Sequence, residues 1–308
     1  MSNKIKIYFL GTSSSCPTKE RNLTSVLINY QGVNYLFDSP ENVQQQIMKV
    51  NQSIIKIDFL FITHLHGDHY FGLIGLLATM QLNQREKDFN IYVPFGDKAQ
   101  LLEFISASRL KFSFKINVSE VKSNFTLKLS KLIISSVKLN HSIPTYGYVF
   151  KVINKIGKFD KEKAMKLNIP EGPLYSKLQE GKSIRYKGKT IKSKEVMDNK
   201  FKKIGKSIGY MVDTYVLSKV PKNIKNINIL IHEASFLEEH KDKAKETLHS
   251  VVKDVSKFAK KAKVEELYLV HISSRYLDNN LILKEGKKYF KNTFCPRDLE
   301  FLEIDDFN

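Results

Sequence analysis

Short apolar runs punctuate the first half of the chain at 4–10, 24–30, 33–37, 57–62 and 90–94, then at 114–119, 125–130, 132–139 and 146–153. Their β-branched and aromatic content, bounded by polar residues, predicts strands. Helical patterns fall between them near 41–49, 70–84 and 96–108. The second half alternates in the same way, with strands expected at 207–212, 227–231 and 265–271 and helices near 237–246, 249–262 and 279–289. Such interleaving points to an α/β layered architecture. The Gln31-Gly32 pair joins two of the runs as a hairpin, which rules against an all-parallel sheet.

One stretch breaks this pattern. Residues 154–206 are dense in lysine, poor in long apolar runs and interrupted by Gly157, Pro170, Gly172-Pro173 and Gly181. We read it as an excursion from a single domain spanning 1–308, with an inserted arm at about 154–185 and a helical hairpin around 160–180. The 308 residues suffice for a substantial core. No apolar run reaches the roughly 18 residues of a membrane span. A strand pattern begins at Ile5, leaving no room for a secretory signal, and Cys16 and Cys295 provide no disulfide framework. A cytoplasmic location is therefore expected. The net charge of +18 invites a polyanion partner. With 44 Lys against 6 Arg, a compositional bias explains it as well as a functional basic face.

The chemistry enters at His64-Leu65-His66-Gly67-Asp68-His69, directly after the apolar run ending at Ile62. Four imidazole or carboxylate groups within six residues suit zinc and similar divalent ions. In extended chain His64 and His66 project to one side, and Gly67 is expected to let the backbone turn so that Asp68 and His69 face a second ion. Three further ligand-type residues follow apolar strands: His141, Asp213 and His271. Loops at strand ends are where sites assemble in α/β sheets. The natural assignment gives one ion to His64, His66 and His141, a second to Asp68, His69 and His271, and Asp213 to both. Such a pair of cations points to hydrolysis and leaves the substrate open.

His-x-His-x-Asp-His with later His, Asp and His ligands resembles the metallo-β-lactamase superfamily. The resemblance implies a four-layer αβ/βα sandwich with a small protruding helical arm. Further motifs are similar to the short-form ribonuclease Z family. They are Pro17-Thr18-Lys19-Glu20-Arg21-Asn22, the continuation Phe71-Gly72-Leu73, His232-Glu233-Ala234-Ser235, His249-Ser250-Val251 and Ile169-Pro170-Glu171-Gly172-Pro173. Ser235, Val251 and Asp38-Ser39-Pro40-Glu41 depart from the family's usual residues.

That resemblance implies a metal-dependent endoribonuclease acting on precursor tRNA after the discriminator nucleotide, leaving a tRNA 3′-hydroxyl and a trailer 5′-phosphate. It implies two Zn2+ per subunit, with Mn2+ or Fe2+ also suited to the ligands. Catalysis would fall to Asp68, which orients and deprotonates the attacking water, and to His249 as proton donor held by Glu233. His232 would brace the site, and His240 would be a solvated surface residue. Lys19, Arg21 and Asn22 would meet the RNA near the scissile bond. Gly172 and Pro173 belong to an exosite arm that grips the tRNA elbow, and a homodimer is implied, one subunit's arm serving the other's site. Two rivals stand beside this reading: another hydrolase of the superfamily, and a non-catalytic RNA-binding protein on the same scaffold.

Overall fold

The computed structural model describes residues 3–308, with backbone only at 155–156 and 199–202. Its strands in chain order are β1 (Lys4–Gly11), β2 (Ser25–Tyr30), β3 (Val33–Phe37), β4 (Ile57–Phe61), β5 (Phe89–Pro94), β6 (Ile116–Val121), β7 (Thr126–Lys128), β8 (Leu132–Lys138) and β9 (Tyr146–Val152). There follow β10 (Lys155–Phe159), β11 (Ile184–Tyr186), β12 (Lys189–Ile191), β13 (Met197–Lys203), β14 (Ser207–Met211), β15 (Ile229–Glu233), β16 (Glu266–Val270), β17 (Thr293–Phe294) and β18 (Phe301–Asp305). Two compact units result: residues 1–151 with 207–305, and residues 152–206 with 306–308.

The larger unit holds two seven-stranded sheets, ordered β18-β1-β2-β3-β4-β5-β6 and β17-β16-β15-β14-β9-β8-β7. Alternation along each strand decides what fills the space on either side. Phe9, Tyr35, Phe37 and Phe61 face across to aromatics of the other sheet: Phe37 lies 5.6 Å from Tyr210, Phe61 5.1 Å from Tyr148, and Phe9 5.5 Å from Tyr268. The alternate residues Leu10, Leu36, Leu60 and Ile91 pack instead with Ile47, Leu76, Met80 and Leu101 of the helices Val43–Lys49, Leu73–Leu82 and Lys98–Ala107. On the other sheet, Leu230, Leu267 and Leu269 pack with Val255, Phe258 and Ala259 of the helix Val252–Ala262. Burial on both faces accounts for the near-continuous apolar runs in the sequence. The expected helix–sheet–sheet–helix sandwich is what the chain forms.

β3, β4, β5 and β6 run parallel to one another, as do β14, β15, β16 and β17. β18 was not legible in the sequence. It pairs antiparallel with β1, and its pattern is half exposed, with Lys4–Asp305 and Lys6–Glu303 ion pairs along the edge.

The smaller unit carries the helices Lys161–Lys166 and Pro173–Gln179, with β10 against β13 and a β11–β12 hairpin. Its own core comprises Ala164, Ile169, Tyr175, Leu178, Ile184, Ile191 and Val196. Gly172 sits at φ +124°, a conformation open to glycine, and Pro173 starts the second helix, where its missing N–H costs nothing. The side chains of Lys155, Lys200 and Lys202 in the lysine-rich stretch lie outside the described residues.

Candidate metal centre

Each candidate ligand follows a strand of the sandwich. Asp38 leaves β3, His64 to His69 follow β4, His141 follows β8, Asp213 follows β14 and His271 follows β16. Asp38, Asp213 and His271 take left-handed backbone at φ 59°, 53° and 57°. Non-glycine residues pay roughly 1–2 kcal/mol for that conformation, and such strain gathers at functional sites. Gly67 shows a different reason from the one expected. It begins the helix Gly67–Tyr70 without entering the left-handed region, and a Cβ there would lie 2.3 Å from the Phe71 ring.

The seven predicted ligands come together as two groups sharing Asp213. His64, His66, His141 and Asp213 each place one ligand atom within 4.8 Å of the others, and so do Asp68, His69, Asp213 and His271. His64 Nε2 lies 2.9 Å from His66 Nδ1 and 3.5 Å from Asp213 Oδ2. His271 Nε2 and His69 Nε2 lie 3.0 Å and 3.4 Å from the other oxygen, Asp213 Oδ1. These last three atoms are buried and make no hydrogen bond. Leaving such groups unmatched in the interior is costly, so their convergence fits a cation.

The far side of four of the five rings is held. His69 Nδ1 donates to Asp38 Oδ2 at 2.9 Å, His64 Nδ1 lies 3.0 Å from Thr63 Oγ1, and His271 Nδ1 lies 3.0 Å from Ser235 Oγ. His141 Nδ1 meets the carbonyl of Leu248 at 3.3 Å. Outer partners of this kind set which nitrogen faces the ion. Asp38 also accepts from Thr63 N–H and Oγ1 and from Tyr210 Oη, which locks it at full burial.

Electrostatics supports the same reading. Burial lowers His64, His66 and His141, favouring neutral rings with free lone pairs. In the second group burial opposes charge on the histidines, yet Asp213 lifts His69 strongly and His271 to about 10. Burial likewise works against ionised Asp68 and Asp213, but the neighbouring histidines hold both carboxyls low. Two ionised carboxylates thus demand positive charge here. A divalent cation would meet that demand and release the protons.

Beside these groups, His249 Nδ1 lies 2.9 Å from Glu233 Oε1. Burial raises the Glu233 carboxyl and depresses the imidazole, but the pairing outweighs it in each, leaving Glu233 lowered and His249 raised. Glu233 accepts as well from Thr214 N–H, Ser250 N–H and Ser235 Oγ, so its oxygens are satisfied without an ion. Ser235 Oγ thus links Glu233 to the His271 ring. A cleft of about 540 Å³ lined by His66, Asp68, His141, Asp213 and His249 opens over the site.

A protein-family profile described as Anti-Pycsar protein Apyc1 matches residues 5–156. Over nearly the whole chain the similarity is to ribonuclease Z. The protein of that name from Archaeoglobus fulgidus is 38% identical over 301 residues, covering 97% of each chain. The chain belongs to the ribonuclease Z family. Ribonuclease Z of Nitrosopumilus maritimus is 36% identical, covering 97% of this chain and all of its own. The crystal structure of the short form of human tRNase Z shares the fold, with a TM-score of 0.67, 23% identity and coverage of 96% of this chain and 98% of that one. The metallo-β-lactamase fold protein YhfI from Bacillus subtilis superposes with a TM-score of 0.71 at 15% identity, covering 98% of this chain and 100% of its own. The protein is therefore an endoribonuclease of the ribonuclease Z family with a metal site built on the metallo-β-lactamase fold.

The other expected residues divide. Lys19 is exposed, and Asn22 lines a groove next to Glu41 and Phe71. Arg21 departs from the expected role: it is buried, and its guanidinium donates to the carbonyl of Tyr276 at 2.6 Å and to Asn279 Oδ1 at 2.8 Å, so it is not offered to a phosphate. His232 points its ring towards Phe258, while its Nδ1 lies 2.7 Å from the backbone carbonyl of Glu233. His240 donates to or accepts from Tyr276 Oη at 2.7 Å. Gly172 and Pro173 lie in the smaller unit. Asp38 escaped the sequence reading as a functional residue, although its place just after the apolar Tyr35-Leu36-Phe37 is the same signal that marked Asp213.

Proposed function

We propose that this protein cleaves precursor tRNA just after the discriminator nucleotide, leaving a 3′-hydroxyl on the tRNA and a 5′-phosphate on the trailer. The Glu233–His249 pair beside two ligand groups that share Asp213 carries the reading. His64, His66 and His141 would hold one divalent cation and Asp68, His69 and His271 a second, with one oxygen of Asp213 for each. Zinc suits the donor set best, and Mn2+ or Fe2+ also fit nitrogen and oxygen ligands. When bound, such a pair lowers the pKa of water and neutralises charge on a phosphoryl oxygen.

The chain's own residues then divide the proton traffic. Asp68, ionised at neutral pH, orients the attacking water and takes its proton. His249 gives a proton to the departing 3′-oxygen, which is a poor leaving group without one. Glu233 keeps that imidazole protonated and aimed. Lys19 would meet backbone phosphate, which sets register and makes affinity salt-dependent. The smaller unit, with sixteen Lys or Arg against six Asp or Glu in 152–206, would hold the tRNA elbow by charge and shape, Gly172 and Pro173 shaping that arm. A homodimer, with the arm of one subunit serving the other's site, is carried from the family resemblance. The free cysteines Cys16 and Cys295 suit a cytoplasmic protein, and among the described residues no helix is long and apolar enough to cross a membrane.

One comparison tests the assignment of His249. His249→Ala should lose about 10²–10⁴-fold on precursor tRNA, whose leaving group is an alkoxide, and far less on bis(p-nitrophenyl) phosphate, whose phenolate leaves unaided. Equal losses on the two substrates would remove the proton-donor role.

A further inference from the structure

One ligand of the first group and the proton donor meet at a helix end. The short helix Lys241–Glu246 is capped by Thr247, and the next two residues close it. Leu248 N–H donates to the Lys245 carbonyl at 3.4 Å, and His249 N–H to the Ala244 carbonyl at 2.8 Å. These two bonds form a Schellman motif, in which the residue after the cap turns left-handed and is usually glycine. Here that residue is Leu248, at φ 55°. A bulky side chain is strained in this conformation. Core packing does not offset the strain, because Leu248 is only half-buried and lines the cleft over the ligand groups. An outlier of this kind, set in the wall of a functional cleft, calls for a functional reason.

What the turn achieves lies on either side of it. The Leu248 carbonyl accepts from His141 Nδ1 at 3.3 Å. A ring nitrogen that donates to a carbonyl carries the proton, which leaves His141 Nε2 with its lone pair beside His66 and Asp213. The next residue is His249, whose Nδ1 lies 2.9 Å from Glu233 Oε1. Beyond it the chain is already fixed, because Ser250 N–H donates to Glu233 Oε2 and the Ser250 carbonyl accepts from Phe236 N–H. The His141 and His249 rings lie 5.1 Å apart. Turning Leu248 out of the left-handed region would swing its carbonyl off His141 and redirect the chain entering His249. We propose that Leu248 is a positioning residue whose backbone turn sets the ligating nitrogen of His141 and the aim of His249 together. The metal ligand and the proton donor are thereby held as one unit. For the role of His249 the proposal rests on the precursor-tRNA reading above; for His141 it stands apart from it.

The test is an inverted order of substitutions. Leu248→Gly and Leu248→Asn keep a left-handed turn, whereas the apolar Leu248→Val resists it and Leu248→Pro, fixed at a φ of about −65°, forbids it. Zinc affinity, read by competition with a chromophoric chelator, should stay within about threefold for Gly and Asn and fall about tenfold or more for Val and Pro. At saturating zinc, Val and Pro should lose more kcat on precursor tRNA than on bis(p-nitrophenyl) phosphate, with KM little changed. Side-chain packing would give the reverse order, Val holding and Gly failing, and that result would overturn the proposal. So would Val and Pro variants that match wild type in both measurements. If Leu248→Pro does not fold, Val against Gly decides. The zinc order without the kcat effect would remove the link to His249. Precursor tRNA left uncut by wild type would overturn the tRNA reading, and Leu248 would still be judged on the zinc order.

Discussion

Asp38 Oδ2 accepts a hydrogen bond from Nδ1 of His69 at 2.9 Å, which leaves Nε2 of that ring facing Asp213 Oδ1. The residue that orients a ligand thus lies 31 positions before it, just past the end of β3, which runs parallel to the strand preceding His69. Asp38→Asn keeps the shape but weakens the acceptor and removes a buried charge. We expect metal affinity to drop about 10–100-fold, read by competition with a chromophoric chelator, while secondary structure stays native. Unchanged affinity would show that the contact does not orient the ring.

Burial pushes the carboxyl of Asp298 up to about 6, although it accepts from Asn22 N–H and Thr12 Oγ1 and lies near Arg21. The folded value sits above the ordinary one of about 3.9, so between these limits the folded chain binds more protons than the unfolded chain. Stability is therefore expected to fall as pH rises from about 4 to 6 and to stay reduced above that, by roughly 3 kcal/mol at most from this group. Asp298→Asn should flatten that part of the profile, measured as urea midpoints at pH 4.5 and 7.5. A slope identical to wild type would sink the assignment.

Arg21 and Lys19 sit two residues apart and should behave oppositely. Arg21→Ala strips a charged donor from the Tyr276 carbonyl and Asn279. It should cost about 1–3 kcal/mol in denaturant unfolding without changing the salt dependence of RNA binding. Lys19→Ala should leave stability within about 0.5 kcal/mol and lower the slope of log K against log salt by about one.

The smaller unit offers a clean excision point. Phe159 and Met197 are register partners on β10 and β13, so a short Gly-Asn turn can replace residues 160–196. We expect KM for precursor tRNA to rise at least tenfold while hydrolysis of bis(p-nitrophenyl) phosphate continues. Equal loss on both substrates would argue against an RNA-gripping arm.

What was legible in the sequence was whatever a local pattern carries. The ligand types stand at strand ends, four of them inside six residues, and the alternation of Leu10, Leu36 and Leu60 with aromatic neighbours announces strands buried on both faces. Side-chain periodicity and donor chemistry are properties of short segments, so they survive without the fold. Only the tertiary structure decided that Arg21 would be spent on a backbone carbonyl, that His232 would face Phe258 and that Asp38 would hold His69. Those outcomes depend on which way a chain turns after its strand and on what lies across a sheet, and neither is encoded within the few residues around each one. The edge strand Phe301–Asp305 belongs to the same class: its half-exposed pattern acquires meaning only once β1 offers unpaired backbone beside it.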